Sequence, residues 1–479
     1  MLFTDPSFLF VFLPIFLASY FCVVSLARPG TTFGVRNAAR ANWLIFVACV
    51  VFYAAWTGSL VLLLLFTVLL THCLAVGIGR SRSFPTRTIS NALAAAGIGL
   101  NVTVLIVFKY AFPELLASDQ ENMAFAVPQL LVPLGLAFVV CHGVSYIVDV
   151  HQGLADPYQR TVDDAAYMLF LPVAIAGPIL RHRDVRSQFL LRPVGMAAFS
   201  YGVRRFVVGF SKTLLIAQVL AQGSAAIFSL PPDQVGIAQA WFGLACFSLQ
   251  VYFDFSGYAD MAIGLSRMLG FRILENFKWP YAATSVNEFW SRWNVSLTTW
   301  ISTYAHSDFD NRLPAGRPFS APKLIAFFLL VGLWHGPGGN VLWWGCFHGA
   351  LLGLERIGFS TVLDRLPVWI RHVYVLLAVM VGWVIFRTNS MSSTLTFFAS
   401  LLGLVPAADA TFVPLTPLLG AAFLFAVVAS VPLMQSGSRW MVTLDAMATS
   451  LLMLVGTAAV FAWRSVMRIL AAIVRLFRH

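Results

Sequence analysis

Charge is what this sequence has least of. Only 11% of its 479 residues are Asp, Glu, Lys or Arg, against roughly 25% in a soluble domain. No polar stretch is long enough to build a core of its own, which excludes a separate water-soluble domain. Cysteine is sparse and unpatterned. All six (Cys22, Cys49, Cys73, Cys141, Cys246, Cys346) lie inside apolar segments, with no CxxC and no zinc-ligand spacing. His72 adjoins Cys73, but no second pair completes a site. The six read as small buried hydrophobes, so neither a disulfide framework nor a bound metal is expected.

Other absences narrow the class further. The leader Met1 to Pro6 has no Lys or Arg, and no small-residue cleavage site follows a short apolar core. Phe8 to Leu26 is therefore expected to be a retained span, not a signal peptide. No internal repeat is visible: the breaks at Gly177-Pro178 and at Pro337 to Gly339 have unlike surroundings. That argues against the paired broken helices of a transporter. No phosphate-cradling Gly-rich motif occurs either.

What is present is apolar sequence. The chain is 59% hydrophobic with a mean hydropathy of +0.81. Uncharged runs long enough to cross a bilayer, about 20 residues, begin near Ser7, Ala41, Ser59, Asn91, Gln129, Val203, Ile237, Val368, Phe412 and Ala446. Shorter ones begin near Ala165, Lys323 and Val341. The pattern predicts an all-α, polytopic integral membrane protein with roughly ten to twelve spans and one or more re-entrant pieces.

The net charge of +11 does not point to nucleic acid, because of where it sits. Arginines cluster in short connectors: Arg28, Arg36 and Arg40; Arg80, Arg82 and Arg87; Arg181, Arg183, Arg186 and Arg192. The connector after the fourth span has Glu114, Asp119 and Glu121 and no basic residue. By the positive-inside rule the N-terminus is outside, residues 28–40, 80–90, 151–164 and 181–202 are cytoplasmic, and 113–124 are outside. Arg267, Arg272, Lys278 and Arg292 place 267–323 on the cytoplasmic side. At the C-terminus Arg464, Arg468, Arg475 and Arg478 punctuate the apolar stretch Trp463 to Phe477. That composition fits a helix lying on anionic lipid or a last span with a basic cap.

Polar chemistry is concentrated in the middle of the chain. Six of the twenty carboxylates fall between Asp254 and Asp310, and seven of the fourteen tryptophans between Trp279 and Trp344. Tyr252 to Met261 ends an apolar run and places Asp254, Ser256, Tyr258 and Asp260 in it. Asp254 and Asp260 do not share a helical face, so each would pair separately with arginines, backbone or neighbouring helices. Phe277 to Tyr281 reads as a turn. Phe289, Trp293, Leu297 and Trp300 then recur as one helical stripe, with Asn294 beside it. Tryptophans in such a stripe suit a membrane interface.

The most pointed signal is Leu333-Trp334-His335-Gly336-Pro337-Gly338-Gly339, a histidine where an uncharged run meets a Pro/Gly break. A lone histidine at a span end is compatible with packing alone. An ionisable group at membrane depth, beside irregular backbone, is a functional-site hypothesis. His348 follows on the next apolar run, but no third metal-type ligand lies near. The residues point to a neutral imidazole acting as general base toward a hydroxyl. A helix C-terminus, however, favours the cation.

In combination these motifs resemble the membrane-bound O-acyltransferase (MBOAT) family, in its bacterial alginate O-acetyltransferase, AlgI-like branch. The resemblance runs over nearly the whole chain. It is carried by Met1 to Leu17, Pro133 to Phe138, Ser145 to Val150, Ile175-Ala176-Gly177-Pro178-Ile179-Leu180-Arg181, Tyr252 to Met261, and Leu269 to Phe277. It implies a helical bundle with re-entrant segments around a central tunnel, forming one domain over 1–479: N-terminal spans 1–160, catalytic core 161–358, C-terminal spans and basic tail 359–479. The family's catalytic histidine, in Leu-Trp-His-Gly, maps to His335. Its second site position maps to Asn294 in Trp293-Asn294-Val295-Ser296, 41 residues earlier. The alginate branch usually has His there, and many eukaryotic members have Asn. Tyr304 to Arg312 stands where a basic, Gly-rich loop is usual, which bears on the acceptor and on any docking partner.

The resemblance implies acyl transfer with no bound cofactor. The donor is acetyl-CoA or another acyl thioester, reached from the cytoplasm past basic residues such as Arg292. Trp290, Trp293, Ser296, Trp334 and His348, with Asp254, Ser256, Tyr258 and Asp260, are candidate tunnel or substrate positions. The acceptor side implies a periplasmic acetyltransferase partner or a polysaccharide, such as alginate or cellulose, at the inner membrane of a bacterium. Peptidoglycan, teichoic acid or a lipid are alternative acceptors within the family. A non-enzymatic polysaccharide-export component is the alternative outside it.

Overall fold

The computed structural model describes residues 2–25, 35–83, 87–111, 135–231, 234–304, 321–336, 338–405 and 416–431. Residues 113–124, most of the stretch from Tyr304 to Arg312, Pro337, the run from Ala446 and the basic segment Trp463 to Phe477 lie outside them. Among the described residues every regular element is helical. Four helical runs, 38–81, 88–110, 196–228 and 368–387, are long and apolar enough to cross a membrane.

The N-terminal half comprises α1 (Leu13–Ser25), α2 (Val35–Thr57), α3 (Val61–Ser81), α4 (Thr88–Ile106), α5 (Leu136–Gln152), α6 (Thr161–Met168) and α7 (His182–Leu190). Their basic ends meet. Fully buried Arg192 donates from Nε to Tyr20 Oη at 3.1 Å and from Nη1 to Asn42 Oδ1 at 2.9 Å, and lies 4.4 Å from the Phe271 ring centroid. Tyr20 in turn donates to the Leu269 carbonyl at 2.6 Å. A buried guanidinium is tolerable only when paired in this way.

Between α6 and α7 the chain enters the interior and comes back. His142 closes the loop: its Nδ1 lies 3.0 Å from the Met168 carbonyl, and its Nε2 accepts from the Leu180 amide at 3.2 Å. A donor on one nitrogen and an acceptor on the other define a neutral imidazole. Leu171 donates to Cys49 Sγ at 3.3 Å and Ile179 to Ser296 Oγ at 2.9 Å. Buried non-helical backbone needs such partners.

The second half begins with α8 (Met196–Ser211), α9 (Gln218–Phe228) and the 32-residue α10 (Ile237–Met268). The span that carries Asp254 and Asp260 does not end at those residues but runs on to Met268. Helix α8 packs antiparallel on α10 at bare backbone: a Cβ on Gly202 would lie 2.5 Å from the Gly264 carbonyl oxygen. Small residues permit this approach where lipid gives no hydrophobic drive for helix pairing.

The short helices α11 (Val286–Arg292) and α12 (Val295–Tyr304) follow, then α13 (Ala321–His335) and α14 (Gly339–Leu354). Helices α13 and α14 form an antiparallel hairpin closed at glycine, Gly345 lying against the Phe328 carbonyl and Gly349 against Ile325 Cα. The remaining elements are α15 (Val368–Arg387), α16 (Met391–Leu401) and α17 (Pro417–Ala429). The root of the hairpin lies with the basic ends: Glu355 accepts from the amides of Val286 and Asn287, while Tyr304 donates to Asp149 beside Arg183. The turn of the hairpin lies at the opposite end, where Asn340 meets Thr388.

Candidate active site

His335 is the last residue of α13, at the tip of the hairpin. It is half-buried, and its ring nitrogens make no hydrogen bond among the described residues. Three aromatic rings face it edge-on: Trp334 at 4.9 Å, Phe386 at 5.3 Å and Trp344 at 5.5 Å between centroids. The Nε1 atoms of Trp334 and Trp344 are buried without an acceptor among the described residues. Two indole donors and an imidazole therefore share one cluster of aromatic rings.

Residues 287–300 were expected to form one helical stripe. The structure breaks that stripe at Asn294, whose φ is +44°. Asparagine is one of the few residue types that adopts left-handed backbone at modest cost. Asn276 holds the break open: its carbonyl accepts from the Val295 amide, and its side-chain oxygen from the Ser296 amide, each at 3.0 Å. The break lets α11 and α12 diverge while Phe289, Trp293 and Leu297 stay buried. Asn294 itself is half-buried.

Ring contacts join the two segments. Trp293 lies 5.1 Å from Trp383, which lies 6.0 Å from Phe386 and 6.5 Å from Trp344. Trp290 lies 5.6 Å from Trp344 and donates to His348 Nδ1 at 3.4 Å. His348 is fully buried, with its Nε2 seated against the bare backbone of Gly382. On the basic side, a cleft of about 320 Å³ is lined by Trp290, Asn287, Thr298, Phe327 and Phe328 among others. A second of about 220 Å³ shares Asn287, Leu324 and Leu352 and carries Arg356 and Arg371. His335 lines neither; the Trp290–Trp344 pair stands between it and the first cleft.

Residues 160–397 match the family described as MBOAT, membrane-bound O-acyltransferase. A protein of Azotobacter vinelandii named Probable alginate O-acetylase AlgI is 36% identical over 413 residues, covering 84% of this chain and 78% of its own length. The protein of that name in Pseudomonas aeruginosa is 35% identical over 398 residues, covering 82% and 73%. A Peptidoglycan O-acetyltransferase of Helicobacter pylori is 27% identical over 445 residues, covering 84% and 80%. This chain belongs to the membrane-bound O-acyltransferase family. It is an acyltransferase of the membrane.

The other positions singled out in this acyltransferase fall into two groups. Several are engaged in holding the fold. Asp260 accepts from Arg205 Nε at 2.8 Å and from Lys212 at 2.7 Å, and Arg205 also meets Glu275 at 2.5 Å. Ser296 anchors Ile179. Arg292 pairs with Glu288 at 2.5 Å. Burial raises the Glu288 carboxyl, but donors from Thr284 and Arg292 outweigh it and hold the group below its usual 4.5. Asp254 is half-buried, Ser256 Oγ is buried without a partner among the described residues, and the Tyr258 ring lies 6.5 Å from Phe3. None of these contacts His335.

Four residues enter the site that the sequence reading passed over. Trp383 and Phe386 sit in α15, whose uninterrupted apolar run looks like lipid-facing span. Lys109 and Tyr110, in the π-helical turn Val107–Ala111 that ends α4, reach the hairpin tip. A signal for Lys109 was available, since a charge at the end of an apolar run carries the same presumption of function as His335.

Proposed function

We propose that this acyltransferase moves acetyl groups from cytoplasmic acetyl-CoA, or a related acyl thioester, across the bacterial inner membrane for O-acetylation of an exopolysaccharide of the alginate type. The observation that carries the chemistry is His335: an imidazole at the tip of an apolar hairpin, walled by aromatic rings, with neither nitrogen hydrogen-bonded among the described residues. The alginate O-acetylase relatives, at 35–36% identity over most of the chain, support the substrate class.

In this reading a His335 ring nitrogen takes the proton of an acceptor hydroxyl. The hydroxyl oxygen bonds to the thioester carbonyl carbon, the tetrahedral intermediate collapses with cleavage of the C–S bond, and the imidazolium returns the proton to the departing thiolate. The developing oxyanion needs donors fixed in advance. The Asn294 amide supplies one, and the unpaired indole N–H groups of Trp334 and Trp344 are further candidates. The donor enters through the clefts on the basic side, where Arg356 and Arg371 stand beside Glu355 and Asp364, and the acyl end passes the Trp290–Trp344 pair. A re-entrant role for the α13–α14 hairpin and for residues 161–181 belongs to the same reading, as does delivery to a periplasmic partner. The peptidoglycan relative makes a peptidoglycan acceptor the second candidate.

The test is His335→Ala in the native host. Exopolysaccharide O-acetylation should disappear while protein level and membrane insertion stay normal. Normal O-acetylation in that strain would refute the assignment.

A further inference from the structure

The end of α13 is capped from another helix. A helix leaves its last carbonyls without intrahelical donors, and at the tip of an apolar hairpin water is a poor substitute. Two side chains of the turn Val107–Ala111 supply the missing donors. Lys109 Nζ donates to the Trp334 carbonyl, and Tyr110 Oη donates to the Leu333 carbonyl, with the Gly336 carbonyl 3.4 Å away. The Lys109 ammonium also lies 5.4 Å from the Trp334 ring centroid, a cation–π distance. That ring is packed between Phe138, at 6.2 Å, and His335.

We infer that Lys109 and Tyr110 are positioning residues for acyl transfer, acting through the His335 turn. Two effects follow from the same contacts. The first is geometric: the carbonyls on either side of His335 are tied to the turn that ends α4, so the imidazole is held at one height and the helix end cannot fray. The second is electrostatic. The C-terminal end of α13 carries partial negative charge and favours a cation. Lys109 provides that cation, so His335 is not required to, and a general base must be neutral to accept a proton. This meets the difficulty that a histidine at a helix C-terminus otherwise presents. The turn Val107–Ala111 lies outside the region matched to the family, 160–397. The inference rests on His335 being the base.

The experiment uses membrane vesicles from the native host, which retain any partner that transfer requires. Labelled acetyl-CoA is the probe, and label incorporated into polymer is the readout. Lys109→Met should lower the maximal rate at least tenfold, leave the half-saturating acetyl-CoA concentration within twofold of wild type, and leave protein level unchanged. Lys109→Arg, which keeps charge and donors, should recover at least half of the wild-type rate. Tyr110→Phe removes one hydroxyl with little threat to folding and should lower the rate several-fold, again without moving half-saturation. His335→Ala is run alongside. Full activity in Lys109→Met and Tyr110→Phe with a dead His335→Ala overturns the positioning role alone; an active His335→Ala overturns the base assignment itself. Equal loss in Lys109→Met and Lys109→Arg, or a shift in half-saturation instead of rate, also overturns the inference.

Discussion

Removing the carboxylate of Glu355 should both destabilise the protein and slow it. Glu355 is 4% exposed. Its Oε1 accepts from the Val286 amide at 2.7 Å and its Oε2 from the Asn287 amide at 2.9 Å, with Tyr374 Oη donating to Oε1 at 3.2 Å. Val286 and Asn287 are the first residues of α11, so their N–H groups have no acceptor within the helix, and the helix dipole favours an anion there. Ser285 already takes the Glu288 amide and Glu288 takes the Thr284 amide. No neighbour is left over to replace Glu355.

Glu355→Ala strands the buried Val286 amide at about 1–3 kcal/mol and the part-buried Asn287 amide at less, so about 3 kcal/mol in all. With an unfolding entropy of roughly 2.1 cal/mol/K per residue, that is a fall in Tm on the order of 3 °C for a chain of this length. Glu355→Gln keeps one acceptor and turns an N–H donor toward the other amide, so it should lose about half as much. Thermal unfolding of detergent-purified protein at one scan rate measures both, since irreversible transitions compare only at matched rate. Acyl transfer should fall in parallel, because α11 carries Trp290 to its contact with His348. A Glu355→Ala protein that melts within about 1 °C of wild type and transfers acetyl at the full rate would refute the reasoning.

Two further substitutions probe neighbouring parts of the site. Gly382→Ala drives a methyl group into His348 Nε2; overpacking of this kind costs about 1–3 kcal/mol, and Gly382→Val should cost more, read as successive drops in Tm with transfer activity falling alongside. Asn294→Gly keeps the left-handed backbone available while deleting the amide. It should therefore stay near wild type in Tm yet lose activity by about a hundredfold, the usual effect of removing an oxyanion donor. Asn294→Val should lose both, because a β-branched residue at φ +44° is strained. Full activity in Asn294→Gly would remove Asn294 from the chemistry and leave it a purely conformational role.

Much of the architecture is written in local pattern. The described helices begin close to where the apolar runs do, because in lipid every backbone polar group must be satisfied within the segment. The break after His335 follows from Pro337 and its glycines. Other features are invisible locally because their causes are distant in sequence. The stripe Phe289, Trp293, Leu297, Trp300 keeps helical spacing, yet the helix is interrupted where the Val295 and Ser296 amides donate to Asn276. Asp260 finds its cations 55 and 48 residues away in Arg205 and Lys212. Lys109 meets the Trp334 carbonyl across 225 residues. In each case a short-range rule is overridden by a tertiary partner that periodicity cannot contain.

The hairpin also explains why the site needs help from α4. The described part of α13, Ala321–His335, rises about 22 Å at 1.5 Å per residue, against a hydrocarbon core of about 30 Å. In the proposed re-entrant reading the turn stays in a medium of low polarity, where the loose carbonyls of a helix end are costly. A longer α13 would carry the turn to water and remove the cost, but it would carry His335 there too. In that reading the hairpin keeps the imidazole away from bulk water, and the burden of satisfying the helix end falls to Lys109 and Tyr110. Lengthening α13 by one turn, with Ala-Ala-Ala-Leu inserted after Leu329, removes both at once: the hairpin tip should no longer meet the turn Val107–Ala111, His335 should lose its depth and its cap, and acetyl transfer should fall to the level of His335→Ala, whereas wild-type transfer would refute the reading.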